Sequence, residues 1–267
     1  MADALETTLY EGKVKVRFFP DSHQYWVNGK RKTGVTTYLG IIDKSRPLII
    51  WATGLYRDYL LEQLPNGITS DHIFEGCTLH ARRKEEAASI GDDVHKWIES
   101  YVKNENPEMP ERREAQIGVN AFLDWVSDND VKFISSERVV YSKKHDYIGT
   151  MDIEAEVNGK LCLIDIKTAN TLYNTYDLQT AAYVKADEEE SKKSYAGRWL
   201  IRLAKETEDE YKERMINKGK DGTGYKVFEA KFLDNEMMNM ERDFKVFLHT
   251  KALYEWNRET DTFTNKQ

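Results

Sequence analysis

The spacing of hydrophobic residues changes from extended to helical near residue 34 of the chain. Residues 13–27 alternate between polar and apolar and end at Asn28-Gly29, which predicts a strand or hairpin followed by a turn. After GVTTYLG at 34–40 the apolar positions recur at the spacing of an amphipathic helix. Three helices are predicted there, over residues 48–64, 75–103 and 111–127.

The alternating pattern returns between residues 132 and 167. Turn signals at residues 143–146 and at Asn158-Gly159 divide this stretch into three antiparallel strands. Beyond it we predict a helix, two strands and a long helix, over residues 176–185, 197–204, 225–233 and 235–258. The charged segment 205–224 is interpreted as a mobile insertion between the two late strands.

The order of these elements favours a single α/β domain over residues 1–267. We expect a mostly helical part at about 34–130, followed at about 131–267 by a core with a central mixed β-sheet flanked by helices. A hydrophobic content of 40% is enough to form a sizeable core. The net charge of −7 argues against a protein that coats nucleic acid through a uniformly basic surface.

The chain carries no pattern typical of export or membrane insertion. Its start has no apolar targeting segment, and no apolar stretch reaches 18 residues, so we expect a cytoplasmic protein without membrane contact. The two cysteines, Cys77 and Cys162, are too few for a disulfide framework or for a four-cysteine iron–sulfur cluster.

The Asn-Gly turn at 158–159 fixes the register of a predicted hairpin. Asn-Gly favours a two-residue turn, because both turn positions need positive φ. Val157 then pairs with Lys160, and the same register puts Asp152 directly opposite Asp165. Two facing carboxylates with Cβ atoms about 4.5–5.5 Å apart destabilise a sheet unless a cation or a shared proton compensates.

Alternation along the hairpin separates its two faces. The apolar residues at odd positions of 151–157 and at even positions of 162–166 are assigned to one core face, whereas Asp152, Asp165 and Lys167 share the other. Two carboxylates beside an ammonium form a site suited to a hard divalent cation such as Mg²⁺ or Mn²⁺. A surface network in which Lys167 bridges the carboxylates would use the same residues, and a bulge would spoil their alignment. The residues alone leave both interpretations open.

The order of the motifs resembles the PD-(D/E)xK nuclease superfamily, specifically its RecB-type exonuclease branch without an iron–sulfur cluster. The resemblance runs from about residue 34 to residue 185. It is carried by GVTTYLG at 34–40, Gly-x-x-x-His at 91–95, Gly-Thr-Met-Asp at 149–152, Asp-Ile-Lys at 165–167 and Gln-x-x-x-Tyr at 179–183. A restriction-endonuclease-like catalytic core is the fold that this resemblance implies.

The resemblance also implies roles for single residues. His95, Asp152, Asp165 and the backbone carbonyl of Ile166 would hold Mg²⁺ (or Mn²⁺), and Lys167 would orient or activate the attacking water.

Further candidates lie on the neighbouring elements. Gln179 and Tyr183, at positions i and i+4 of one helix face, would hold the active-site strand and help to position DNA. Glu99 and Glu137 are second-tier candidates for a second metal or its water shell. The basic run before the histidine motif is the candidate entrance for DNA, and its members are Arg82, Arg83 and Lys84.

The function expected from these features is metal-dependent hydrolysis of DNA phosphodiester bonds. We expect an exonuclease of recombination, repair or phage DNA processing, acting on single- or double-stranded DNA with ends. A recombination or helicase partner would be a separate chain, since the sequence has no phosphate-binding P-loop. The alternatives are a structure-specific or restriction-like endonuclease, and a non-catalytic nucleic-acid-binding module with the same fold.

Overall fold

The computed structural model describes residues 4–217, 219, 221–223, 225–235 and 239–264, with side chains as far as residue 260. Within these residues the chain forms nine β-strands and seven α-helices. The strands are β1 (Leu5–Leu9), β2 (Val14–Phe19), β3 (Gln24–Val27), β4 (Lys30–Lys32), β5 (Val131–Ser142), β6 (Tyr147–Val157), β7 (Lys160–Lys167), β8 (Gly197–Leu203) and β9 (Phe228–Asp234). The helices are α1 (Val35–Leu39), α2 (Ser45–Gln63), α3 (Ser70–Val102), α4 (Arg113–Asp128), α5 (Asn174–Ser191), α6 (Glu208–Asn217) and α7 (Asn239–Thr264).

The predicted α/β class, with a central mixed sheet flanked by helices, is confirmed. The sheet has the strand order β5-β6-β7-β8-β9, and its strands are antiparallel except for the parallel pair β7 and β8. Helix α5 connects that pair, because parallel neighbours need a crossover rather than a tight turn. Helices α3 and α4 pack on one face of the sheet, and α1, α5 and α7 pack on the other.

Most predicted elements are found near their predicted positions, with three differences. Residues 5–32 form a complete four-stranded sheet, of which the predicted strand or hairpin is only a part. The segment interpreted as a mobile insertion contains helix α6. The last helix begins at Asn239, and residues 236–238 of its predicted range lie outside the described residues.

The inner face of the N-terminal sheet packs against the β5–β6 hairpin. Val14, Val16 and Tyr25 form a buried cluster with Tyr141 and Ile148. This cluster joins the small sheet to the strand that carries the Gly-Thr-Met-Asp motif.

Polar contacts fix the position of the small sheet. The Tyr25 hydroxyl lies 2.9 Å from the Thr150 hydroxyl, and the Lys32 ammonium lies 2.7 Å from the Asp146 carboxylate. An isolated bridge joins Gly34 to Ile148. Together with the buried cluster, these contacts make the small sheet a wall beside the motif on β6.

Helices α2 and α3 pack together as a helical hairpin, and only the C-terminal part of α3 is well buried. Helix α3 has 33 residues and so spans about 50 Å, but most of its buried residues lie between Ile90 and Val102. Its start is fixed by a reciprocal cap between Thr69 and His72, and none of the residues of α2 is buried. Among the described residues, no helix has both the length and the apolar composition needed to cross a bilayer.

A close approach between β6 and α5 depends on a glycine. A Cβ atom added at Gly149 would lie 2.3 Å from Cε1 of Tyr183, and Tyr183 is only 4% exposed. Real Cβ atoms do not approach a ring so closely, and a buried ring has little room to move. Gly149 therefore allows α5 to pack directly on the strand that leads to Asp152.

We predict that Gly149→Ala lowers the free energy of unfolding by about 1–3 kcal/mol, the usual effect of overpacking a core. The control is Gly54→Ala in α2, where an added Cβ meets nothing within 4 Å. That control should raise stability by up to about 1 kcal/mol, because alanine favours the helix more than glycine does. Urea denaturation measures both, and equal stability of the two variants would contradict the proposed packing.

Candidate metal centre and cleft

The predicted Asn-Gly hairpin is confirmed. Asn158 and Gly159 have φ values of 51° and 75°, the left-handed conformation that a two-residue turn requires. Pairing then runs from Val157 opposite Lys160 to Ile153 opposite Ile164, in the predicted register.

The ladder ends before the predicted pair of Asp152 with Asp165. At this point Oδ2 of Asp152 accepts a hydrogen bond of 2.8 Å from the backbone N–H of Ile166. A side-chain oxygen of β6, rather than a carbonyl, therefore holds the adjoining part of β7. The carboxylate of Asp152 is fixed in direction by the main chain of its neighbour.

The side-chain alternation of β6 also shifts at Asp152. Ile153, Ala155 and Val157 pack in the layer of α3 and α4, as predicted. Met151 packs instead in the layer of α5 and α7, so its predicted place on the same face is wrong. A shift by one residue occurs where a strand is locally irregular, and here it lies at the carboxylate itself.

Strand β5 is also irregular, near the residue that lies across from Asp152. Its register with β6 shifts between Phe133 and Ser135, and Glu137 has a φ of 49°. Ser136 and Arg138 pair with Ile153 and Met151, so Glu137 stands across from Asp152. A left-handed glutamate within a strand is uncommon and costs on the order of 1–3 kcal/mol, and such strain tends to occur at functional sites.

Helix α3 brings His95 to the same place. Gly91 lies one turn before His95, and a Cβ atom added to it would be 2.6 Å from Oγ1 of Thr168, directly after β7. The missing side chain lets the helix approach the end of the strand. Nδ1 of His95 then lies 4.0 Å from Oδ2 of Asp152.

His95, Glu137 and Asp152 form a cluster with the donors of a metal site. One ligand atom from each residue lies within 4.8 Å of the others. Glu137, only a second-tier candidate in the sequence, thus belongs to the cluster, whereas Asp165 lies outside it. The sequence indicated Glu137 only as a second-tier candidate, because its position depends on the irregularity in β5.

Electrostatics favour a cation in this cluster. Burial first, then the negative charge of Asp152, raises the pKa of Glu137 above the usual range for glutamate, although the residue keeps an exposed surface. Burial lowers the pKa of His95, against the opposing effect of Asp152, and so favours the neutral imidazole that ligates metals. A divalent cation would offset the repulsion between the carboxylates. The donor set of one imidazole and two carboxylates therefore fits Mg²⁺ or Mn²⁺.

Asp165 and Lys167 form a buried pair next to the cluster. Oδ2 of Asp165 lies 2.6 Å from Nζ of Lys167, while Oδ1 of Asp165 has no hydrogen-bond partner among the described residues. Burial raises the pKa of Asp165, the ammonium of Lys167 opposes this, and the charge of Asp152 adds to it. Burial disfavours the charged form of Lys167, but Asp165 and Asp152 outweigh this and raise its pKa. The two carboxylates therefore favour the protonated form of Lys167.

Lys167 and His95 line a cleft of about 370 Å³ together with Ile166, Tyr176 and Lys205. The ammonium of Lys167 lies 4.9 Å from the centre of the Tyr176 ring. Lys205 was not predicted, because it enters the cleft only through the parallel pairing of β7 and β8, which brings their carboxyl ends to one edge. Nζ of Lys205 donates to the carbonyl of Ala87 at 2.5 Å, and burial lowers the pKa of Lys205.

Other predicted residues lie around the site without entering the cluster. The side-chain amide of Gln179 donates to the Tyr183 hydroxyl at 3.1 Å, and both side chains are buried. They can hold the strand through the close contact of Tyr183 with Gly149. Glu99 is ion-paired with Lys103. The predicted metal ligand at Ile166 is its backbone carbonyl, whereas the hydrogen bond to Asp152 is made by its backbone N–H.

The basic run on α3 lies away from the cluster. Arg83 is 12 residues before His95, which is about 18 Å along the helix axis. Arg82 is ion-paired with Glu75 and Arg83 with Glu86, so much of their charge is balanced.

No protein-family model matches the chain, and no curated protein matches it significantly. The interpretation of this site therefore rests on its geometry and its residues.

We predict that Glu137→Gln weakens Mn²⁺ affinity at least about tenfold, because the variant loses one donor of the cluster. The control is Glu99→Gln, which removes a neighbouring carboxylate that is paired with Lys103 and should leave the affinity nearly unchanged. Isothermal titration calorimetry with Mn²⁺ measures both. Without metal, and at a pH above about 8 where the Glu137 carboxyl is ionised, Glu137→Gln should also raise the melting temperature, because it removes a negative charge that Asp152 repels. A larger effect of Glu99→Gln than of Glu137→Gln would contradict the assignment.

Proposed function

We propose that the chain is a metal-dependent DNA nuclease of the PD-(D/E)xK type that hydrolyses phosphodiester bonds. The observation that carries the proposal is the meeting of His95, Glu137 and Asp152, with His95 also lining a cleft that contains Lys167. These residues come from four different elements, α3, β5, β6 and β7. A chance surface charge network has no need for a strained glutamate to face the half-buried carboxylate of Asp152.

In this proposal His95, Glu137 and Asp152 hold the cation. Asp165 lies close enough to Asp152 that the negative charge of Asp152 raises the pKa of Asp165. Oδ1 of Asp165 has no hydrogen-bond partner among the described residues. Asp165 is thus an available further carboxylate. When bound, Mg²⁺ or Mn²⁺ would neutralise phosphate charge and lower the pKa of a water molecule.

Lys167 acts as a charged hydrogen-bond donor. Asp165 and Asp152 keep its ammonium protonated, so it is unsuited to remove a proton from water. A protonated amine at the cleft orients the attacking water and stabilises the charge that develops on the phosphate oxygens. Its buried partner Asp165 restricts the motion of the ammonium and so keeps it aimed at the reacting group.

Lys205 contributes substrate binding rather than chemistry. Lys205 lines the cleft and makes no ion pair among the described residues. Its ammonium donates a hydrogen bond to the backbone carbonyl of Ala87. A lysine in this position attracts a phosphate of the strand that enters the cleft.

The proposed role is that of an exonuclease in recombination, repair or phage DNA processing, acting on DNA with ends. Digestion of end-labelled linear DNA with Mg²⁺, Mn²⁺ or EDTA tests it, with covalently closed circular DNA as the second substrate. Metal-dependent release of short products from linear DNA alone supports the exonuclease. Cleavage of closed circles favours an endonuclease, and DNA binding without any cleavage favours a non-catalytic module.

We expect Lys167→Ala to lower kcat about 100-fold or more while it leaves Mn²⁺ affinity nearly unchanged, because the ammonium stabilises only the reacting state. Lys205→Ala should instead raise KM with little change in kcat. Lys245→Ala, on the exposed side of α7, serves as the control for the loss of a positive charge. Steady-state cleavage of linear DNA gives both constants. A loss of metal binding in Lys167→Ala equal to its loss of kcat would favour a purely structural salt bridge.

A further inference from the structure

The outer face of the N-terminal sheet presents a row of cationic and aromatic side chains. Arg17 of β2 pairs with Trp26 of β3, and Trp26 pairs with Arg31 of β4. Directly paired residues of an antiparallel sheet project from the same face, so the indole lies between two guanidinium groups. All three residues are exposed, with 36% of Trp26 accessible.

Further side chains of β2 extend this surface. Lys15 and Phe19 lie two residues on either side of Arg17 and therefore share its face. The guanidinium of Arg17 lies 5.3 Å from the centre of the Phe19 ring. We call the surface formed by Lys15, Arg17, Phe19, Trp26 and Arg31 the outer platform.

The outer platform is locally basic on an acidic protein. Residues 13–34 contain six Lys and Arg side chains and one acidic side chain, whereas the whole chain has a net charge of −7. Glu6 pairs with Arg17 at 3.2 Å, but within the described part of the chain Arg31 makes no ion pair. Arg31 also borders a cleft of about 430 Å³ whose described lining includes Lys32 and Thr37 and no carboxylate.

We propose that the outer platform binds a single strand of DNA, with a base stacked on Trp26 and phosphates held by Arg17 and Arg31. Flat aromatic side chains between cations are the elements with which sheets bind unpaired bases, because every base offers a π-face and every linkage a negative charge. Duplex DNA hides those faces within its own stack. The exposed indole therefore selects a single strand.

The position of the platform connects it to the metal cluster. The inner face of the same sheet touches β6 at Ile148 and Thr150, and Asp152 follows two residues later. The outer platform lies on the opposite face of this same sheet. The choice of DNA as the ligand rests on the proposed nuclease function, but the platform itself does not use the metal-binding residues.

The test is fluorescence anisotropy of labelled oligo(dT), longer than the site size of about 4–16 nucleotides, with the full-length protein in EDTA. We expect Trp26→Ala to raise Kd about tenfold and Trp26→Phe to raise it less, because the latter keeps a ring. The matched control is Trp256→Ala, which removes an indole that is 60% exposed on α7. Arg31→Ala should reduce the slope of log K against log salt by about 0.7, and Arg214→Ala on α6 is its control.

The outcomes separate this proposal from the nuclease proposal. Metal-dependent cleavage together with an unchanged Kd in Trp26→Ala would overturn the platform and leave the nuclease intact. Loss of oligo(dT) binding in Trp26→Ala supports the platform even if the wild-type protein cleaves nothing. An equal loss in Trp256→Ala, or an equal loss of blunt-duplex binding in Trp26→Ala, would also overturn base stacking at Trp26. Circular dichroism of each variant checks that the fold is retained.

Discussion

The hydrogen bond between the Ile166 amide and the Asp152 carboxylate determines the geometry of the candidate site. It lies where the regular pairing of β6 with β7 stops and where the side chains of β6 change faces. A regular ladder would have directed Asp152 into direct repulsion with Asp165. The interrupted ladder instead anchors one carboxylate to the main chain and leaves the other paired with Lys167.

The surrounding elements adapt to that fixed carboxylate. The left-handed conformation of Glu137 and the close helix approach at Gly91 both bring donors toward Asp152. The strained backbone of Glu137 and the proximity of its carboxylate to Asp152 each lower the stability of the metal-free protein. A bound cation would compensate for both, which is the physical reason to regard the cluster as functional.

The sequence allowed prediction of features that depend on local chemistry. The Asn-Gly turn has one favoured geometry, so the hairpin register followed from counting residues, and the helical periods located α2, α3 and α4. Features that depend on long-range pairing were predicted less well, since Glu137 was only a second-tier candidate and Lys205 was not predicted. The bulge in β5 moved Glu137 into the cluster, and the parallel neighbour β8 brought Lys205 to the cleft. Neither the bulge nor the choice of neighbouring strand can be predicted from the residues of one strand.

The central claim is that β5, β6 and α3 converge to bind one divalent cation between His95, Glu137 and Asp152. Diffraction from crystals of the wild-type protein soaked in Mn²⁺, recorded at a wavelength where manganese scatters anomalously, tests it most directly. We expect an anomalous peak in contact with all three side chains. Manganese bound elsewhere, or a cation held only by Asp165 and its neighbours with Glu137 turned away, would contradict this claim.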